Sequence, residues 1–209
     1  MKILITAFDA FGDDKINPTT VVLNNLPSII KNASIYKLVI PTIRYKSAQM
    51  IIEKIEEIDP EVVISLGLAG GRPAISIERI AINIDDFRIC DNEGNMPIDE
   101  EIVRGGAPAY FSTLPIKAML KAIHEEGIAA NISNTAGTFV CNHVMYAVAD
   151  YLSKHNPQVR SGFIHIPYLD TMDKTPSMNL DELSSGIIAA IEAVVSFDYD
   201  IKIPGGSLH

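Results

Sequence analysis

Residues 129–167 read AANISNTAGTFVCNHVMYAVADYLSKHNPQVRSGFIHIP, and this run decides the fold class. An apolar strand pattern over 129–135 leads through the turn Thr135-Ala136-Gly137-Thr138 into a helical segment that opens at Cys141 and runs to about Lys154. A second apolar strand pattern follows over 160–167. Working outward, strands are also expected at 2–8, 35–43, 61–68 and 75–84, with helices opening near Pro18, Lys46, Pro115 and Leu180. Asn17 caps the first of these with Pro18 at its first position, and Asn179 and Asp181 stand at the start of the last. Short Val- and Ile-rich runs alternating with longer helical segments predict an α/β domain with a largely parallel sheet.

Two irregular stretches interrupt the alternation. Residues 85–110 are polar and carry Gly94, Pro97, Gly105, Gly106 and Pro108, and residues 168–178 form the second. Segments of that length are functional excursions more often than linkers. With 209 residues and no internal repeat, one domain is expected.

The composition, 47% hydrophobic and 21% charged, is that of a chain with a packed core. Twenty-six acidic against 17 basic side chains give a net charge of -9, and the bases are scattered, which argues against nucleic acid as a partner. The start, MKILITAF, has one basic residue and an apolar run that ends at Asp9, so it fits neither a signal peptide nor a membrane span. Two cysteines, Cys90 and Cys141, are too few for a disulfide framework, so free thiols in a reducing, cytoplasmic setting are expected.

Cys141 opens a helix, where unpaired N–H groups and the helix dipole favour negative charge. That predicts a thiol pKa below the free value of about 8.5 and a ready oxyanion site. A buried structural cysteine is the competing reading, and position alone leaves both open. Among the histidines, His143 lies two residues along the helix and points away from Cys141. His124 and His155 have ordinary helix-surface readings, and His209 is terminal. His165 interrupts an apolar strand near its carboxyl end, where ligands of open α/β sheets bind. Glu78 interrupts another apolar segment and can orient an imidazole, although from the residues alone an ion pair with a neighbouring base such as Arg79 is the favoured reading. No Gly-x-Ser-x-Gly elbow, His-Glu-x-x-His helix or phosphate loop is present. The carboxylates Asp9, Asp13, Asp14, Asp85 and Asp86 have no recognised ligand spacing and read as solvated loop groups.

These stretches resemble the pyroglutamyl peptidase I (pyrrolidone carboxyl peptidase) family of cysteine peptidases. The resemblance is carried by Phe8 through Gly12 with Asn17-Pro18, by Gly70-Gly71-Arg72 through Glu78-Arg79 to Asn83, by Ser133 and Ala136 through Asn142, and by Phe163 through Pro167. Gly105 through Phe111 and Thr175 through Met178 extend it along nearly the whole chain. It implies an α/β/α sandwich with a twisted mixed sheet, hydrolysis after an N-terminal pyroglutamate, frequent homotetramers, and no metal or organic cofactor. It assigns Cys141 as nucleophile, His165 as general base and then acid, and Glu78 as orienter. It further implies a ring pocket lined by Phe8, Phe11, Phe139 and Val140, a backbone contact near Leu68 to the lactam's polar edge, and Arg88 as an aid to the oxyanion. Ala7 and Ala10 replace a glycine and a proline common in the family, Leu68 a frequent glutamine, and Ile77 a frequent proline. The change at 68 removes any side-chain contact from that position but not a backbone one.

Overall fold

The elements follow in chain order through residues 1–206, the residues that the computed structural model describes. They are β1 (Lys2–Phe8), α1 (Pro18–Asn25), β2 (Ile29–Ile30), β3 (Ala33–Ile40), α2 (Lys46–Ile58), β4 (Val62–Leu68), β5 (Ile75–Glu78) and β6 (Ile80–Ile82). Next come β7 (Ala109–Phe111), α3 (Ile116–Glu125), β8 (Ala130–Ser133), α4 (Val140–His155), β9 (Arg160–Ile166), β10 (Tyr168–Leu169), β11 (Ser177–Met178) and α5 (Leu180–Ser196).

Seven strands form the main sheet in the order β2-β3-β1-β4-β9-β5-β8. β3, β1, β4 and β9 run parallel, β5 is antiparallel to β9, and β8 is parallel to β5, so the sheet is mixed and largely parallel. Successive side chains of a strand face opposite ways. Ile3, Ile5 and Ala7 of β1 and Val62, Ile64 and Leu66 of β4 therefore enter one apolar layer, with Val22 of α1, Met119 of α3 and Ile187 of α5. Leu4, Phe8 and Val63 enter the other, with Ile51 of α2 and Val144 of α4. The two layers make the α/β/α sandwich.

Local signals operate as read. Asn17 Oδ1 accepts from the Thr19 N–H (3.0 Å) with Pro18 at the first position of α1, and Asn179 closes a capping box with Glu182 on α5. Two strands depart most from the expected bounds. The strand expected over 35–43 stops at Ile40, because Pro41 has no N–H to continue the ladder. The strand expected over 75–84 divides at Arg79: β5 stays in the main sheet, while β6 leaves to pair with β7 in a separate two-stranded sheet. Apolar residues continue on both sides of Glu78-Arg79, from Ile75 to Ile84, and carry no sign of that exit. Among the described residues no helix is long and apolar enough to cross a membrane. His209 lies outside the described residues.

Candidate active site

β5 and β9 run antiparallel with Ser76 opposite His165. Glu78, two residues further along β5, is then the diagonal neighbour of His165 on the same face, within reach of a long side chain. Glu78 is 0% exposed and His165 4%, and His165 Nδ1 stands 2.7 Å from Glu78 Oε1. Burial pushes the Glu78 carboxyl up, but its bonds to His165, Ser133 and Arg72 and the charge of His165 outweigh it, leaving Glu78 below the usual carboxylate range. Burial acts on His165 too and prevails there: the imidazole falls below its ordinary value although Glu78 favours the charged form. Near neutral pH the pair is a carboxylate and a neutral ring. The proton sits on Nδ1, donated to Glu78, and Nε2 is left as the base.

β4 supplies the ring's seat. Gly67 pairs in register with His165, and a Cβ built on Gly67 would lie 3.0 Å from His165 Cδ2 and 2.6 Å from Phe163 Cε1. Only a residue without a side chain lets the imidazole lie against this strand. Leu68, the next residue, borders the cavity that also contains Cys141.

Cys141 is half-buried in the first turn of α4. The helix has Phe139 as N-cap with no side-chain cap, so the N–H groups of the first turn are not taken by a capping side chain. The expectation of an acidic thiol fails here. Burial, and after it the charge of Glu78, push Cys141 up to about 12, against the opposing effects of Arg72 and of its own N–H. A helix start offers partial charges, whereas a thiolate beside a carboxylate in an apolar enclosure loses its hydration.

The cavity holds about 150 Å³ and is mainly apolar. Phe8, Phe11, Leu68 and Phe139 line it with Cys141. Phe139 is braced between Phe11 and Phe87, with ring centroids 5.3 and 4.6 Å away. Val140 does not line the cavity: its side chain is wholly buried in the layer beneath, between α4 and the sheet. Arg88 is exposed and makes no hydrogen bond or ion pair among the described residues, but it stands next to Ile89, which does line the cavity. Asn17 and Thr42 supply the polar part of the wall. Thr42 and Ile89 carry no site signal in the sequence because they come from loops distant in sequence, and Asn17 reads there as a helix cap and family motif, not as part of the wall.

Other groups stand where the sequence reading did not put them. Glu78 pairs with Arg72, not Arg79: Arg72 Nη1 donates to Glu78 Oε1 (2.6 Å) and Nη2 to the Thr135 carbonyl (3.0 Å). Arg79, the residue between β5 and β6, donates instead to Asn134 Oδ1 (2.8 Å). Asp85 is not solvated. It is 0% exposed and accepts from Arg44 Nε (2.7 Å) and from His143 Nδ1 (2.8 Å), while His143 Nε2 accepts from the Tyr45 N–H (3.1 Å). With both ring nitrogens taken, His143 is structural and stays off the cavity. Asp9 accepts from the Thr42 N–H (2.8 Å) and hydroxyl (3.0 Å), and Asp14 pairs with Lys174 (2.7 Å). Asp13 and Asp86 are exposed as expected.

A family model described as pyroglutamyl peptidase matches residues 1–197. The pyrrolidone-carboxylate peptidase of Clostridium perfringens is 52% identical over 212 residues, spanning 100% of both chains. That of Fusobacterium nucleatum is 56% identical over 211 residues and 99% of each. Among solved structures, pyroglutamyl peptidase I of Bacillus amyloliquefaciens superposes with a TM-score of 0.93 at 42% identity, covering 97% of this chain and 99% of that one. The pyrrolidone carboxyl peptidase of Thermococcus litoralis gives 0.92 at 38% identity, covering 97% and 99%. Likeness of this extent in both sequence and fold has one reading: the chain belongs to the pyroglutamyl peptidase family.

Proposed function

We infer that the chain is a cysteine exopeptidase that removes pyroglutamate from the N-terminus of peptides, with Cys141 as nucleophile, His165 as general base and then acid, and Glu78 as orienter. The observation that carries this is the 2.7 Å contact of His165 Nδ1 with Glu78 Oε1, on the strand beside an apolar cavity that contains Cys141. Because thiol and imidazole are both neutral, attack needs general-base help rather than a preformed ion pair. His165 Nε2 takes the proton from Sγ as Sγ bonds to the carbonyl carbon of the pyroglutamyl residue. The N–H groups at the start of α4, with Arg88, receive the negative charge that develops on the oxygen. Collapse breaks the C–N bond, and the departing amine takes the proton from Nε2. Water, deprotonated by His165, then attacks the thioester, releasing pyroglutamic acid and restoring the thiol.

The cavity explains the choice of substrate. None of its lining residues carries a formal charge, so the ammonium of an uncyclised N-terminus would be buried without a partner, at a cost of several kcal/mol. The lactam ring is neutral and fits between Phe8, Phe11 and Phe139, and its polar edge meets the backbone at Leu68. Val140 acts through its backbone at the helix start. The whole chain serves as one catalytic domain. Its two free thiols, Cys90 and Cys141, suit a cytoplasmic enzyme, and the exposed apolar side chains Ile29, Ile98 and Phe111 offer surface for a homotetramer. A single-chain mass by light scattering would rule out the tetramer.

The decisive experiment is release of a fluorescent amine from pyroglutamyl, prolyl and glutamyl amides by the full chain and by Cys141→Ala. Turnover of the pyroglutamyl amide alone, lost in Cys141→Ala with the circular dichroism unaltered, is expected. Equal turnover of the prolyl amide would overturn the substrate assignment, and activity retained without the thiol would overturn the nucleophile.

A further inference from the structure

After α5 the chain runs without regular structure from Phe197 to Gly206, beyond residue 197, where the match to the family model ends. This tail is tied down at three points. The Asp200 carboxylate accepts from the backbone N–H groups of Lys117 (3.0 Å) and Ala118 (3.0 Å) at the start of α3, whose own N-cap, Pro115, supplies no side-chain bond. Asp200 is the cap that α3 lacks, and its charge suits the positive end of the helix. Lys117 Nζ donates to the Ile203 carbonyl (2.8 Å), and Arg79 Nη2 donates to the Gly205 carbonyl (3.1 Å). A Cβ on Gly205 would lie 2.9 Å from Ile132 Cδ1, so the tail lies close against β8.

Arg79 is the junction between this tail and the site. Its Nε holds Asn134 Oδ1 (2.8 Å) and its backbone N–H holds the Ser133 carbonyl (2.8 Å). Arg72 holds the carbonyl two residues on, that of Thr135, while bonding Glu78. The turn 133–135, which leads from β8 towards α4 and Cys141, is thus gripped by two arginines, one of them adjacent in the chain to Glu78.

We propose that residues 198–206 form a strap that, through Arg79, holds Glu78 and the 133–135 turn in place against His165, with Arg79 as a positioning residue of the reaction. The proposal rests on reading Glu78 and His165 as the catalytic pair. No strap residue lines the cavity, so the strap acts on turnover rather than on substrate affinity.

The test compares the full chain with a chain ending at Phe197 and with Arg79→Ala and Arg79→Lys. Two quantities are measured: hydrolysis of a pyroglutamyl amide and, independently of any substrate, the NMR titration of the His165 ring. That ring faces the charged groups Glu78 and Arg72. A Glu78 that drifts away favours imidazolium less, and the ring then titrates at lower pH. The expected result for the shortened chain and Arg79→Ala is a kcat lower by on the order of tenfold, an unchanged KM and a His165 titration moved to lower pH. Arg79→Lys, which keeps a donor for one of its two side-chain acceptors, falls between. The shortened chain also loses the α3 cap, so Arg79→Ala, which keeps it, decides the matter if the shortened chain does not fold. Wild-type kcat with an unmoved titration in folded Arg79→Ala overturns the strap. Lack of pyroglutamyl turnover by the full chain, with the titration still moved in the variants, overturns the activity and leaves the strap standing.

Discussion

Cys141 and Arg72 show how charge is distributed at the level of single residues. A thiol raised to about 12 is almost wholly protonated near neutral pH, so its alkylation must depend on base assistance or on rising hydroxide. The rate of modification of Cys141 by iodoacetamide, followed by mass spectrometry to separate it from Cys90, should therefore climb steadily from pH 7 past pH 9. A plateau reached below pH 7 would mean a preformed thiolate–imidazolium pair and would contradict the neutral site. Arg72 donates to the same Glu78 oxygen that His165 Nδ1 contacts, and to the Thr135 carbonyl. Removing it in Arg72→Ala takes away a charged hydrogen bond worth about 2 kcal/mol and should lower kcat on the order of 30-fold with little change in KM. Steady-state kinetics checks this, and a kcat within twofold of wild type would show that Glu78 is held without it.

Between elements, the contact of β4 with β9 carries the most consequence. Gly67 and His165 are register partners, and the ring of Phe163 lies against the same glycine. In Gly67→Ala the new methyl group meets both rings at less than contact distance, and neither can retreat into a packed layer. The substitution should cost about 1 to 3 kcal/mol in urea denaturation and should lower kcat under conditions where the protein stays folded. Unaltered stability and activity would mean that the strands separate more easily than their register suggests. No local signal in the sequence marks Gly67. Its role depends on which strand lies beside β4, and that neighbour is almost 100 residues away along the chain.

At the scale of the whole molecule, the buried Glu78–His165 pair ties stability to pH. Glu78 has a folded value below its ordinary 4.5, so its contribution is present above pH 4.5 and is lost as pH falls through the folded value. His165 is held neutral with a folded value below 6.5, so it binds fewer protons folded than unfolded, and stability again falls as pH drops below 6.5. Both signs agree: the urea midpoint should fall on acidification from pH 7 to pH 5, and His165→Asn should lose most of that slope. A wild-type midpoint that rises over this range would show that relief of the net charge of -9 outweighs the buried pair. Much of this architecture was open to reading beforehand. Short apolar runs in β1, β4 and β9, the Asn17-Pro18 and Asn179 helix starts, and polar residues within apolar strands at 78 and 165 are local signals, and local propensity and burial pattern are written in consecutive residues. Family motifs added the role of Cys141. Tertiary structure alone decided that the chain leaves the main sheet after β5, at Arg79, that Arg72 rather than Arg79 meets Glu78, and that Asp85 is buried beneath His143. It also decided that the thiol is raised and not lowered. Each of these depends on which distant groups exclude water from a site, and desolvation is a property of the packed chain, not of neighbours in the sequence.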